Sequence, residues 1–182
     1  MHSLSSFWFK SDIIAVCGPD TPRVTPDQGK TNMQDIQQLK ETIKRILDSQ
    51  KLAVLATQRD GRPYGSLVAF AATHDLKTVL FATTRATRKY ANLLENTDVA
   101  MVIDTRTNQT ADFADAAAVT VLGDVKESGG HERQELGSIY LDKHPYLREF
   151  IESPTTALLR VNVKTYIMVN RFQNVQELHV SE

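Results

Sequence analysis

The chain has 182 residues, with 21 Lys and Arg against 22 Asp and Glu for a formal charge of −1. That is one domain's length, enough to bury a core, and the charge balance argues against a general nucleic-acid binder, which carries a clear basic excess. The 41% hydrophobic content is that of a globular protein, and no apolar run approaches the ~20 residues that cross a bilayer, so neither nucleic acid nor membrane is an expected partner.

In chain order, residues 1–32 differ from the rest. FWF (7–9) is apolar, and GPDTPRVTPDQGKTN (18–32) is rich in Pro, Gly, Thr and Asp without a period. This predicts either an N-terminal extended arm that packs Phe7, Trp8 and Phe9 on a neighbouring surface or a mobile tail. Lys10 and Asp12 interrupt the apolar stretch and no basic run precedes it, which disfavours a signal peptide. Cys17 is the single cysteine; no intrachain disulfide can form, and a cytoplasmic setting is expected.

The domain is expected over 33–182. Met33, Ile36, Leu39, Ile43, Ile46 and Leu47 keep helical spacing and predict an amphipathic helix to about Ser49. KLAVLATQ (51–58), a turn at RDGRP (59–63), YGSLVAFAATH (64–74) and TVLFATT (78–84) read as three strands of an antiparallel meander. ATRKYANLLEN (86–96) reads as a helix with Thr87 as N-cap and Tyr90, Leu93 and Leu94 on its inner side. DVAMVID (98–104) is a strand, TRTNQTADFAD (105–115) a polar loop and AAAVTVLGDVKES (116–128) a long strand. Residues 131–152 carry a helical pattern broken at Pro145, and TALLRVNVKTYIMVN (156–170) and VQELHV (175–180) complete the strands. Six or seven antiparallel strands with helices between them make the fold mainly β with flanking helices, and favour a closed or split β-barrel over a sandwich.

One stretch raises a chemical question. FATTRATRKYANLL (81–94) sets Thr83, Thr84 and Thr87 beside Arg85, Arg88 and Lys89, with no acid before Glu95. A helix N-terminus presents unpaired N–H groups and partial positive charge, so cations there oppose the macrodipole. A bound phosphate would resolve the conflict, accepting from backbone N–H groups and the Thr87 hydroxyl and pairing with Arg88 and Lys89. A solvated turn accounts for the same residues at small cost.

The series from QKLAVLATQRDGRPYGSLVAFAATH through FATTRATRKYANLLENTDVAMVID resembles the pyridoxamine 5′-phosphate oxidase-like flavoproteins, FMN-binding split barrels, over about residues 50–170. The likeness rests on order: helix, Gly-turn hairpin, G-S-L-V-A-F strand, F-A-T-T strand, then T-R-K opening a helix. It implies that Thr87, Arg88 and Lys89 grip the FMN phosphate and that Thr83 and Thr84 approach the phosphate and ribityl chain. Ser66, Leu67, Val68 and Ala69 would run along the isoalloxazine ring. The resemblance further implies a homodimer with FMN at the interface, where Arg106, Asn108 and Gln109 reach the partner's flavin and Arg171 approaches the ring.

The chain also departs from that pattern. The oxidase carries basic residues on the strand where Leu67 and Ala72 stand here, and its C-terminal Arg-x-His segment is absent, since Arg171 and His179 are not at that spacing. The reading is therefore an FMN-dependent oxidoreductase of unassigned substrate, with NADH or NADPH as candidate electron donor, and not a true pyridoxamine 5′-phosphate oxidase. The alternatives are a flavin carrier without turnover, a haem-binding relative and a deazaflavin binder. His74, His131, His144 and His179 show no metal-ligand spacing and read as surface or structural; no metal site is expected.

Overall fold

The computed structural model describes residues 33–170 and 174–180. The arm expected over 1–32 and the candidate ring contact Arg171 lie outside the described residues.

Helix α1 (Met33–Ser49) buries Leu39, Ile43, Ile46 and Leu47, the positions its 3.6-residue period brings to one face. Strands β1 (Leu52–Arg59) and β2 (Arg62–Ala72) follow as a hairpin in register Arg59↔Arg62. Its two-residue loop holds Asp60 at φ 52° and Gly61 at φ 70°, the left-handed pair that matches strand twist. Strand β3 (Thr78–Thr84) completes the meander, α2 (Arg88–Glu95) crosses back, and β4 (Asp98–Asp104) pairs with β1. The loop after β4 contains the single turn α3 (Asp112–Asp115). Strand β5 (Ala118–Glu127) leads into α4 (Gly130–Lys143), a 3-10 turn at Pro145–Leu147, and α5 (Arg148–Glu152). Strands β6 (Thr156–Asn170) and β7 (Asn174–His179) complete the described chain.

The sheet order is β3-β2-β1-β4-β5-β6-β7, and β6 also pairs with β3, so six antiparallel strands close into a barrel with β7 added at β6. The 15-residue β6 serves three neighbours, and this length makes closure possible. At the β5–β6 register shift between Leu122 and Gly123, a Cβ on Gly123 would sit 2.2 Å from the Asn162 carbonyl oxygen, so only glycine allows this approach.

Two apolar clusters result. The barrel interior holds Leu55, Phe70, Phe81, Met101, Val121 and Tyr166, joined by the buried face of α1. On the outer surface, α4 and α5 lay Tyr140 and Ile151 over Ala71, Leu80, Ala82 and Leu158. Strand β3 is therefore buried on both faces, and this is why TVLFATT reads as a continuous apolar run.

The closure has a gap. β2 pairs with β3 only through Phe70↔Phe81, Ala71↔Leu80 and Ala72↔Val79, after which β3 stays with β6 while β2 stays with β1. From Arg62 to Ala69, no described strand pairs with the other edge of β2, and the barrel is split there. The expected meander, N-cap and broken 131–152 helix all form. One face differs: Leu94 is 72% exposed, and Asn92 and Leu93 form the buried side of α2.

Candidate anion and cofactor site

The turn between β3 and α2 is held by its own threonines. Thr87 is the N-cap in extended conformation; its hydroxyl donates to the Thr84 carbonyl (2.9 Å) and accepts from the Tyr90 N–H (3.4 Å). The Thr83 hydroxyl, on the inward side of β3, lies 3.0 Å from that of Thr87. The cap hydroxyls are thus engaged within the turn, and Thr84 contributes a carbonyl rather than its side chain. The donors left for an anion are the first-turn N–H groups of Arg88 and Lys89 and the two side chains themselves.

The three cations of the cluster separate into one and two. Arg85 is ion-paired to Glu127 at the end of β5 and donates to the Pro154 carbonyl at 2.8 Å. Glu127 also accepts from the Tyr90 hydroxyl at 2.7 Å. Burial pushes the Glu127 carboxyl up, but the Tyr90 and Arg85 hydrogen bonds outweigh it and hold it below its ordinary value. Arg88 and Lys89, by contrast, have no carboxylate within ion-pair distance among the described residues; Arg88 lies 5.3 Å from the centre of the Tyr64 ring. The first turn of α2 contains no acid.

Strand β2 supplies the adjoining wall. The Phe70 N–H donates to the Lys51 carbonyl, so the even-numbered residues of β2 turn their backbone groups to β1 and the odd-numbered ones turn away. Gly65, Leu67 and Ala69 therefore aim N–H and C=O groups at the uncovered edge, where the Ala69 carbonyl receives the Tyr140 hydroxyl at 3.4 Å. Side chains alternate the other way. Val68 is buried in the barrel core and offers a ligand no side-chain contact, while Leu67 projects outward, 63% exposed. The Ser66 hydroxyl oxygen is buried without a hydrogen-bond partner, a state that costs on the order of 1–3 kcal/mol unless a ligand or water fills it.

Helix α2 is anchored by a bond that its sequence period conceals. Asn92, 2% exposed, donates from Nδ2 to the Thr57 hydroxyl at 3.0 Å, and Thr57 in turn donates to the Tyr64 carbonyl at 3.4 Å. At the helix's far end Arg59 and Glu95 pair at 2.7 Å.

Arg106, Asn108 and Gln109 do not join this site. They are exposed on the loop after β4, separated from β3 by β1 and β2 in the sheet. Asp112 organises that loop by accepting from the Thr107 and Gln109 N–H groups and the Thr107 hydroxyl. The Thr107 backbone bond leads the causes that hold its carboxyl below the ordinary range. Arg106 is turned back onto Asp104 at 3.1 Å. Among the described residues no group of three His, Cys, Asp or Glu side chains is placed to hold a metal ion. His144 is fully enclosed, with Nε2 2.8 Å from the Phe70 carbonyl and Nδ1 3.3 Å from the Tyr146 hydroxyl.

Fold and site together define a six-stranded antiparallel split barrel in which an uncovered strand edge meets a helix N-terminus carrying two uncompensated cations. The family model described as pyridoxamine 5′-phosphate oxidase matches residues 39–170, more than half of the chain. The protein belongs to that family. Solved structures share the fold at low identity. A heme binding protein from Mycobacterium smegmatis aligns with TM-score 0.70 and 18% identity over 77% of this chain and 57% of that one, so the chain spans little more than half of that protein's length. General Stress Protein 26 from Bacillus anthracis aligns with TM-score 0.60 and 20% identity over 78% of this chain and 98% of that one. ChuZ from Campylobacter jejuni aligns with TM-score 0.68 and 11% identity over 79% and 60% of the two chains. No curated protein matches. Among the described residues no helix is long and apolar enough to cross a membrane.

Proposed function

We propose that this protein is an FMN-binding oxidoreductase of unassigned substrate, active as a homodimer with the flavin at the subunit interface. The observation that carries the reading is the first turn of α2: two cations with no carboxylate partner among the described residues, free N–H groups and no acid, with Arg88 beside the Tyr64 ring of β2. These residues fit a phosphate ester, and family membership favours a flavin as the group that bears it. In this reading Arg88 and Lys89 pair with the phosphate while Thr83, Thr84 and Thr87 hold the turn in shape. The backbone of Gly65, Leu67 and Ala69 offers donors and acceptors along the flat ring, with Ser66 at its side. Bound FMN supplies two-electron chemistry between a donor such as NADH or NADPH and an acceptor. The chain's own task is to bind, orient and exclude water.

The outer face supports the dimer. In register across five strands run Leu67, Val54, Val102, Thr120 and Ile167, and beside them Gly65, Ala56, Ala100 and Leu122. No charged side chain interrupts either row. Leu67 belongs to this apolar face through its side chain and to the open β2 edge through its backbone, so a ligand on that edge would lie where a second copy covers the face. Arg106, Asn108 and Gln109 would then reach a flavin only in the partner subunit. The single cysteine supports a cytoplasmic setting. Leu67 and Ala72, in place of basic residues, argue against pyridoxamine 5′-phosphate as substrate.

The fold neighbour named as a heme binding protein motivates a second reading, and one spectrum separates the two. Protein purified without added cofactor is expected to be yellow and to release FMN on denaturation; a Soret band, or colourless protein that ignores FMN, would refute the flavin. Arg88→Ala combined with Lys89→Ala is expected to weaken FMN by several kcal/mol, at about 1.5–3 kcal/mol per charge-assisted bond, as read by fluorescence titration.

A further inference from the structure

The end of β5 places a carboxylate where the anion site has no obvious use for one. Glu127 accepts from Tyr90, in the first turn of α2, and is ion-paired to Arg85, in the turn that precedes it. Arg85 is further stitched to the start of β6: its N–H donates to the Thr155 carbonyl at 3.0 Å and its guanidinium to the Pro154 carbonyl at 2.8 Å. One acid therefore spans the β3–α2 turn from both sides. It also removes the nearest cation from a cluster that would otherwise present three. Without it, Arg85 would compete with Arg88 and Lys89 for the same anion, and the first turn of α2 would lose the hydrogen bond that ties Tyr90 to β5.

Resting on the flavin reading above, we propose that Glu127 is a positioning residue for the anion site. Its two oxygens fix the entry of α2 through Tyr90 and withhold Arg85, so that the ligand's phosphate meets Arg88, Lys89 and the helix N–H groups in one geometry. The ligand feature it serves is the phosphate, not the ring. Glu127 then governs discrimination between a phosphorylated ligand and its unphosphorylated counterpart, and Tyr90 and Arg85 act through it.

The test compares FMN with riboflavin, which lacks the phosphate, on the full chain and on Glu127→Gln, Tyr90→Phe and Arg85→Ala. Glu127→Gln should weaken FMN about tenfold, the equivalent of about 1.4 kcal/mol, and leave riboflavin unchanged. Tyr90→Phe should move the FMN-to-riboflavin ratio the same way by less. Combining Glu127→Gln with Arg85→Ala should cost less than the sum of the two. An unchanged ratio, equal losses for both ligands, or tighter FMN binding on release of Arg85 would overturn the proposal. Should the wild-type chain bind no flavin, the flavin reading falls by itself, and inorganic phosphate replaces FMN as probe. Thermal stabilisation by phosphate that is smaller in Glu127→Gln than in wild type supports the positioning role, and equal or absent stabilisation refutes it.

Discussion

At His144 one residue of sequence becomes a statement about pH. Pro145 ends α4, and the enclosed imidazole before it bonds the Phe70 carbonyl of β2 and the Tyr146 hydroxyl. Burial is the largest influence and pushes its pKa down, the Phe70 bond opposes this, and Lys143 and Lys51 add to the depression. Between that lowered value and the ordinary 6.5 the unfolded chain binds a proton that the folded chain does not. Stability from this group is thus fully present above the ordinary value and is lost as pH falls through the window. His144→Gln keeps a donor for Phe70 and removes the titration. Denaturant unfolding from pH 7.5 down to 5 should therefore show a difference between wild type and variant that shifts with pH in the direction of relative wild-type loss. A pH-independent difference would contradict the buried neutral imidazole.

At the scale of elements, Gly123 marks where one strand must slide past another. The register shift, the 2.2 Å approach of a would-be Cβ to the Asn162 carbonyl, and the Asn162–Asp124 bond at 2.9 Å lie within one short stretch of β5 and β6. Gly123→Ala forces backbone apart at the joint that turns β6 toward β3. A loss of about 2–4 kcal/mol is expected from overpacking and strain at such a site, measured by urea unfolding; a neutral result would mean that the joint relaxes without cost. The elements themselves were legible because their periods are undiluted, as in α1 and the 116–128 strand. The inner face of α2 was legible at Tyr90 and Leu93, which join the core, but not at Leu94, which satisfies the same spacing yet is exposed, nor at the buried polar contact of Asn92 to Thr57 across 35 residues. The site divides in the same way. Arg88, Lys89 and the Thr87 cap are local and readable, whereas the partner that takes Arg85 out of the cluster is Glu127, 42 residues away. The uncovered edge of β2 also depends on which strands pair, and no stretch of sequence announces that.

Across the whole molecule, burial is unevenly distributed. Helices α4 and α5 cover the outer surface of β2, β3 and β6 near Leu80 and Leu158, whereas the middle of the outer surface of β1, β4 and β5 carries Val54, Ala56, Ala100, Val102, Thr120 and Leu122, with Asp98, Asp104 and Asp124 at its ends. The row from Leu67 to Ile167 crosses five strands, roughly 20 Å at ~4.8 Å per gap, and an uncharged row of that breadth, apolar except for Thr120, suits an isologous dimer contact. Leu67 is 63% exposed, Leu52 51% and Val175 55%, at the margins of this face. Small residues at Gly65, Ala56 and Ala100 would let two such faces approach closely in the proposed dimer. Val102 lies mid-row, paired with Val54 on one side and Thr120 on the other. Its side chain points away from the barrel core, so a charge there leaves the interior packing alone. Val102→Glu should therefore yield a folded monomer by sedimentation velocity, with far-UV circular dichroism unchanged. If the cofactor site is composite, FMN affinity should fall with dimerisation even though no residue at α2 is altered. A wild-type monomer, or a Val102→Glu monomer that holds FMN as tightly as wild type, would remove the second subunit from the site and leave Arg106, Asn108 and Gln109 without a role there.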